Sequence, residues 1–513
     1  MANAQLFSGG SAARMAPARN HAGAPAYALP PKQALAQLAV TGCLSGTYYA
    51  DAQAQLHETM ALCFEVGGEY VAKTALYARQ HGHMKDMPAL LCAWLASFDG
   101  DALGRVFGRV IDKGKMLRNF VQILRSGAVA RKSLGSRPKR LVQNWLTYAS
   151  DAKLIAAMVG RSPSLADVIK MVHPKAHSPE RTALFGYLIG REVDTAKLPQ
   201  ALQDFERFKF DAAAAVPDVP FQLLTALELS PRHWAEIARR MSWTATRMNV
   251  NTLARHGVFD DPALVRLVAK RLGSEQEVRQ ARVFPYQLMA ANTAANNVPQ
   301  PIRDALLRAL EYATANVPAF PGSVAVAVDV SGSMESSVTG FRPGATSAVR
   351  CVDVAGLMAA CVLAQNPGAI VLPFNDQVRT WRWTEKGVWN TAKALAALLG
   401  GGTNVSAPLT ELSRRCVAPD LVIIVSDNQS WIDARQYGGT AALEQWRKLK
   451  QHNPRAKLVC IDLQSCTSTQ VPDSADVLNV GGFSDQVFEV ASAFARGELG
   501  ADSWARRIEA MTL

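Results

Sequence analysis

Hydrophobic positions change their spacing once along this chain. From about residue 32 to 315 apolar residues recur every three or four positions. ALLCAWLASF (89–98), LADVIKMV (165–172), HWAEIARRM (233–241) and PALVRLVAKRLG (262–273) are examples. That period marks helices with one buried face. Breakers such as RSPS (161–164), VPDVP (216–220) and FDDP (259–262) separate them. Many short helices in series predict stacked helical pairs, each burying its face against the next. From about 321 the pattern changes. SVAVAVDV (323–330), GAIVLPF (368–374), DLVIIVSD (420–427) and KLVCIDL (457–463) are short, branched apolar runs. Runs of this kind suit a sheet covered on both faces. Helical stretches lie between them, so a doubly wound, mostly parallel sheet is expected. VRTWRWTE (378–385) reads as an additional antiparallel strand. The chain divides into a tail (1–31), a helical module (32–320) and an α/β domain (321–513). The tail is rich in Ala, Gly and Pro, lacks acids and reads as disordered.

Charge separates the same regions. The chain carries a net +12. Residues 1–320 hold 38 Lys and Arg against 25 Asp and Glu, whereas the remainder is near neutral. The excess concentrates in 101–150, where Arg105, Arg109, Lys113, Lys115, Arg118, Arg125, Arg131, Lys132, Arg137, Lys139 and Arg140 face only Asp101 and Asp112. Such a surface attracts a polyanion through counterion release. The bland alternative is a solvated basic surface. The eight cysteines form no CxxC pair and sit mostly in apolar stretches, as buried free thiols do. No apolar run has the length of a membrane span, and no secretory h-region is seen, so a cytoplasmic protein is expected.

The first strand of the α/β region ends in chemistry. Asp329, Ser331 and Ser333 follow SVAVAV, at the strand end where doubly wound sheets bind ligands. GGGTN (400–404) brings Thr403 in a loop between two helices, and Asp427 ends a later strand. These five oxygen donors form a hard-cation set suited to Mg²⁺ with an open position. There is no nucleophile–base pair, Walker loop or HExxH motif, so an enzyme is not expected. The QHGH stretch (80–83) reads as a loop, and Tyr48 and Tyr49 as packing residues.

These residues resemble the metal-ion-dependent adhesion site of a von Willebrand factor A domain. The chain from about 38 onward resembles the Ro autoantigen family, which joins a TROVE helical module to such a domain. The resemblance rests on GTYY (46–49), HPK (173–175), RVFPYQLMAA (282–291), AVDVSGSM (327–334), GGGTN and VSDNQSW (425–431). The family usually has an acid where this chain has Asn404, and another at Gln429. The resemblance implies a ring of HEAT-like helices followed by the A domain. It also implies small noncoding Y RNAs bound on an outer basic surface and 3′ ends of misfolded or single-stranded RNA entering a central hole. Bacterial relatives act in RNA quality control with a 3′-to-5′ exoribonuclease; neither DNA nor a membrane is an expected partner. Candidate RNA contacts are Lys113, Lys115, Arg118, Arg131, Lys132, Arg137, Lys139 and Arg140, with Arg161, Lys170, His173 and Lys175 carried over from the family's Y RNA region. The alternative is a protein-adhesion scaffold whose A domain holds an acidic side chain of a partner.

Overall fold

The computed structural model describes residues 16–513 apart from 17, 43, 46, 49, 212, 342–348, 383–385, 433–438, 465 and 500–502. It contains two compact units. One comprises Leu56–Ala313 with Arg507–Leu513, and the other Met1–Gln55 with Thr314–Arg506.

The first unit is helical, as its period requires. Side chains begin many of its helices by accepting from the orphan amides of the first turn. Asp99 accepts from the Ala102 amide and Ser178 from the Arg181 amide. Ser164 and Asp167 cap one another's backbone reciprocally at the start of Leu165–Val172. The apolar stripes meet in a common core: Leu91, Leu95, Phe107, Phe120 and Leu124 are buried. Residues 507–513, expected in the α/β domain, join this unit instead. Ile508 is buried. Lys73 donates to the Glu509 carbonyl at 2.7 Å and Arg109 to the Thr512 carbonyl at 2.6 Å.

The second unit is built on five parallel strands in the order β4-β3-β5-β6-β8. They are β3 (Val324–Asp329), β4 (Ile370–Phe374), β5 (Leu421–Ser426), β6 (Lys457–Asp462) and β8 (Val477–Gly481). The register aligns Asp329 with Phe374 and Ser426 with Asp462, so the polar strand ends lie on one edge. The helix Cys351–Gln365 is buried along almost its whole length, which explains its nearly unbroken apolar sequence. Strand β8 has no counterpart in the sequence reading; VLNVG carries a central Asn that breaks the apolar run. The described part of VRTWRWTE, 378–382, does not form the expected strand. Val378 makes one isolated bridge with Phe374, and 379–382 continue without regular structure; 383–385 lie outside the described residues. Arg379, Thr380 and Arg382 are exposed and Val378 and Trp381 only half-buried, so no buried face fixes a strand register there.

The expected tail and the boundary at 32 are also corrected. Residues 1–15 lie outside the described residues, but β1 (Ala18–Arg19) and β2 (Pro25–Ala28) form a small antiparallel sheet with β7 (Ser468–Thr469). The helix Pro31–Thr41 packs against β8. Its Leu35 and Leu38 are fully buried, and its buried Gln33 and Gln37 donate to the Asn479 carbonyl and the Asp462 carboxylate. Composition suggested a tail, yet two strands and one buried helix tie 18–41 to the second unit.

Candidate metal centre and basic face

Strand β3 delivers Asp329 to the sheet edge, and a tight turn returns two hydroxyls beside it. The Ser331 amide donates to Asp329 Oδ1 at 2.9 Å, and the Ser331 and Ser333 hydroxyls are 3.2 Å apart. The neighbouring strand contributes Ser426, whose hydroxyl donates to Asp329 Oδ2 at 2.5 Å. Loop 400–404 is pinned to the same edge. The Gly400 amide donates to the Val330 carbonyl at 2.8 Å, and the Gly332 amide to the Gly401 carbonyl at 2.9 Å. Gly400 and Gly401 have φ of +140° and +86°. A side chain on Gly402 would displace the ends of the exposed Ile432 and Trp431 side chains. The amides of Trp431 and Ile432 both donate to the Thr403 carbonyl, which holds Thr403 beside the loop after β5.

All five predicted donors are buried: Asp329, Ser331, Ser333, Thr403 and Asp427. Both carboxylate oxygens of Asp427 are buried without a hydrogen bond. Burial, and then the Asp329 charge, push the Asp427 carboxyl up to about 7. Burial likewise raises Asp329, offset in part by the hydrogen bonds from Ser331 and Ser426. Buried acids facing one another need a compensating charge. Among the described residues no three His, Cys, Asp or Glu side chains cluster around a metal position, so the hydroxyls decide the character of this set. Two carboxylates and three hydroxyls fit a hard divalent cation.

Two supporting residues, Ser426 and Asp462, escaped the sequence reading. Ser426 fixes Asp329, as above. Asp462 ends β6, buried, and accepts from Gln37 Nε2 at 2.8 Å and Asn428 Nδ2 at 3.4 Å. Burial is the main cause that lifts its carboxyl well above the usual range. Its position at a strand end, level with Ser426, was a visible signal. Gln429 Oε1 accepts from the His21 amide at 2.8 Å, and Asn20 Nδ2 donates to the Ser430 carbonyl at 2.7 Å. Neither contact could be found from sequence, because the partners lie some 400 residues apart. Asn404 also has a physical reason. It donates to the Asp376 carbonyl at 3.0 Å while accepting from the Ser406 hydroxyl at 2.8 Å, a pair of roles no carboxylate fills.

The basic candidates divide in the helical unit. Lys113, Lys115, Lys132, Arg140, Arg161, Lys170, His173 and Lys175 are exposed, and Lys139 is half-buried. Arg137 is exposed but pairs with Asp101 at 2.7 Å. Arg118 is corrected to a structural role. Arg118 is buried and donates to the Ala157 carbonyl at 3.2 Å and the Val159 carbonyl at 2.6 Å, closing the end of Asp151–Ala157. Arg131 is half-buried and donates to the Ala96 carbonyl at 2.7 Å. Charge counting cannot distinguish a cation that caps a helix end from one in water. Arg118→Met is expected to lower stability by about 2–3 kcal/mol through two stranded carbonyls. Thermal melting checks the loss; an unchanged melting temperature contradicts the capping role. Lys85 joins the basic face, its ammonium lowered by burial and then by Lys115, Lys113 and Arg79. Tyr48 is exposed rather than packed, and Tyr49 lies outside the described residues.

A helical unit and a parallel-sheet unit with acids and hydroxyls at its strand ends define a class of two-part protein, and comparison with known proteins agrees on the two parts. Residues 169–327 match the TROVE domain and 323–495 the Ro60 vWA domain. The chain thus carries a stretch similar to the TROVE domain followed by one similar to the Ro60 vWA domain. It is 28% identical over 528 aligned positions to "RNA-binding protein RO60" of Deinococcus radiodurans, covering 94% of this chain and 96% of that protein. The Caenorhabditis elegans protein of the same name is 25% identical over 274 positions, covering 50% of this chain and 41% of that one. The crystal structure of the Deinococcus radiodurans RO (RSR) protein superposes with a TM-score of 0.62 at 23% identity, over 92% of this chain and all of that one. Among the described residues no helix is long and apolar enough to cross a membrane.

Proposed function

We propose that this chain binds RNA on the basic face of its helical unit and acts, without catalysis of its own, in RNA quality control or decay. One observation carries the reading. The only two acids of segment 101–150 are already engaged, Asp101 by Arg137 and Asp112 by Arg79 at 2.7 Å. Lys113, Lys115, Lys132 and Arg140 therefore present their charge to solvent, where phosphates gain most from it. The names of the relatives point the same way. Small noncoding Y-like RNAs are the proposed ligands of this face, with His173 and Lys175 among the contacts. Unpaired 3′ ends are proposed to thread the central hole that the family resemblance implies, for delivery to a 3′-to-5′ exoribonuclease. An A-form duplex is about twice as wide as one strand, so only an unpaired end would enter. A duplex with a 3′ overhang is expected to outcompete the same duplex with blunt ends. Equal affinity for the two would remove threading from the reading, and sequencing of co-purified RNA identifies the ligands.

In this reading the A domain holds Mg²⁺ through Asp329, Ser331, Ser333, Thr403 and Asp427. Bound there, the cation supplies an open position for an incoming oxygen. A second reading, adhesion of a protein partner by an acidic side chain, draws on Trp431 and Ile432. Both are exposed apolar residues whose amides hold the Thr403 loop.

A further inference from the structure

The helical unit presents two rings that its core does not use. Tyr148 is the last residue of the helix Ser136–Tyr148 and is 80% exposed. The His177 imidazole lies nearly parallel to it, with centroids 6.5 Å apart and planes 16° apart. Leaving so large an aromatic face in water forgoes the stabilisation that burial would give.

The turn that carries His177 is braced from the same helix. Gln143 Nε2 donates to the Val172 carbonyl at 2.6 Å, and the Thr147 hydroxyl to the Lys175 carbonyl at 3.2 Å. His173 ends the helix Leu165–Val172 in the left-handed region, φ 51°, its amide donating to the Ile169 carbonyl at 2.9 Å. His173, Lys175 and His177 are all exposed at alternate positions along this braced turn. One helix turn back from Tyr148, Trp145 carries the Lys153 ammonium 5.1 Å from its ring centroid. Beyond His177 opens a cleft of about 310 Å³ whose lining includes Ser178, Arg181, Lys197, Asp151 and Glu180. Its charges are of mixed sign, and Leu184, Leu198 and Pro199 complete the lining.

We infer that Tyr148 and His177 form a stacking step for one unpaired base of a bound RNA strand, with Lys175 and Lys153 facing the neighbouring phosphates. The inference rests on the RNA-binding reading. Every base has a π face, so such a step holds a strand without selecting sequence. A duplex keeps its base faces within its own stack and cannot use it. The step thus supplies what the lysine-rich segment lacks, a means of telling single strands from duplexes.

The test uses the full chain and two probes: a short single-stranded oligoribonucleotide carrying one 2-aminopurine, and the blunt duplex of the same sequence. Tyr148→Ala is expected to weaken the single strand about tenfold and to abolish the 2-aminopurine quenching that stacking causes. Its duplex affinity and its salt slope should match wild type. Tyr148→Phe is expected to restore both affinity and quenching, because the ring face and not the hydroxyl makes the contact. His177→Ala should shift single-strand affinity in the same direction as Tyr148→Ala. If wild type binds the single strand and Tyr148→Ala binds it equally, with quenching intact, the stacking step is overturned while RNA binding stands. If wild type binds neither probe, the RNA reading fails and the step fails with it.

Discussion

Asp329→Ala is expected to abolish Mg²⁺ binding while leaving RNA affinity unchanged. The metal candidates all belong to the second unit, and the RNA candidates all belong to the helical unit. Effects of changes at independent sites do not propagate. Titration calorimetry with Mg²⁺ reads the first half and RNA titration the second. A tenfold loss of RNA affinity in a folded variant, about 1.4 kcal/mol, contradicts the separation. The same site sets a pH dependence. The Asp427 carboxyl, ordinarily near 3.8, is held at about 7 by burial and then by Asp329. Between those values the folded metal-free chain keeps a proton that the unfolded chain releases. Its contribution to stability is therefore complete below about 4 and lost as pH rises through about 7. Mg²⁺ replaces the proton and favours the ionised pair. Saturating Mg²⁺ should accordingly raise the melting temperature more at pH 8 than at pH 5. In Asp329→Ala the increment should vanish at both. An increment larger at pH 5 would exclude Asp427 as a ligand.

The basic face carries the other large effect. Joint replacement of Lys113, Lys115, Lys139 and Arg140 by alanine is expected to lower affinity for single-stranded RNA on the order of a hundredfold or more at low salt. Each lost phosphate contact should flatten the slope of log affinity against log salt by about 0.7. The loss should be similar for RNAs of different sequence, because phosphate contacts fix register without reading bases. His173→Ala is the contrast: it should weaken a structured RNA selectively and leave the slope as in wild type. An unchanged slope in the fourfold variant would mean that these side chains are merely solvated.

The sequence disclosed the parts whose physics is local. A period of three to four marks a helix wherever it occurs, and SVAVAVDV can hardly be other than a covered strand. The five metal candidates were legible because strand ends, turn hydroxyls and a triple glycine each leave a mark within a few residues. What stayed hidden was long-range. Arg118 and Lys115 look alike in sequence, yet one closes a helix end and the other faces water. Gln429 takes a hydrogen bond from the His21 backbone, a partner with no recognisable side-chain signature. Residues 18–28 have the composition of a tail and the structure of two strands, because pairing with β7 supplies what composition does not.

The helix Pro31–Thr41 has a consequence for synthesis. Its contacts lie with β8, and its Gln37 bonds to Asp462, so it cannot reach its final place until residue 481 has left the ribosome. At about 5–20 residues per second that wait lasts roughly tens of seconds. Throughout it Leu35 and Leu38, destined for full burial, lack the strand against which their helix packs. The helical unit, whose neighbours are mostly close in sequence, can fold in the meantime. The nascent chain therefore carries exposed apolar side chains at 31–41 until the last strand of the sheet is made, and it is in this interval that a chaperone would have most to hold.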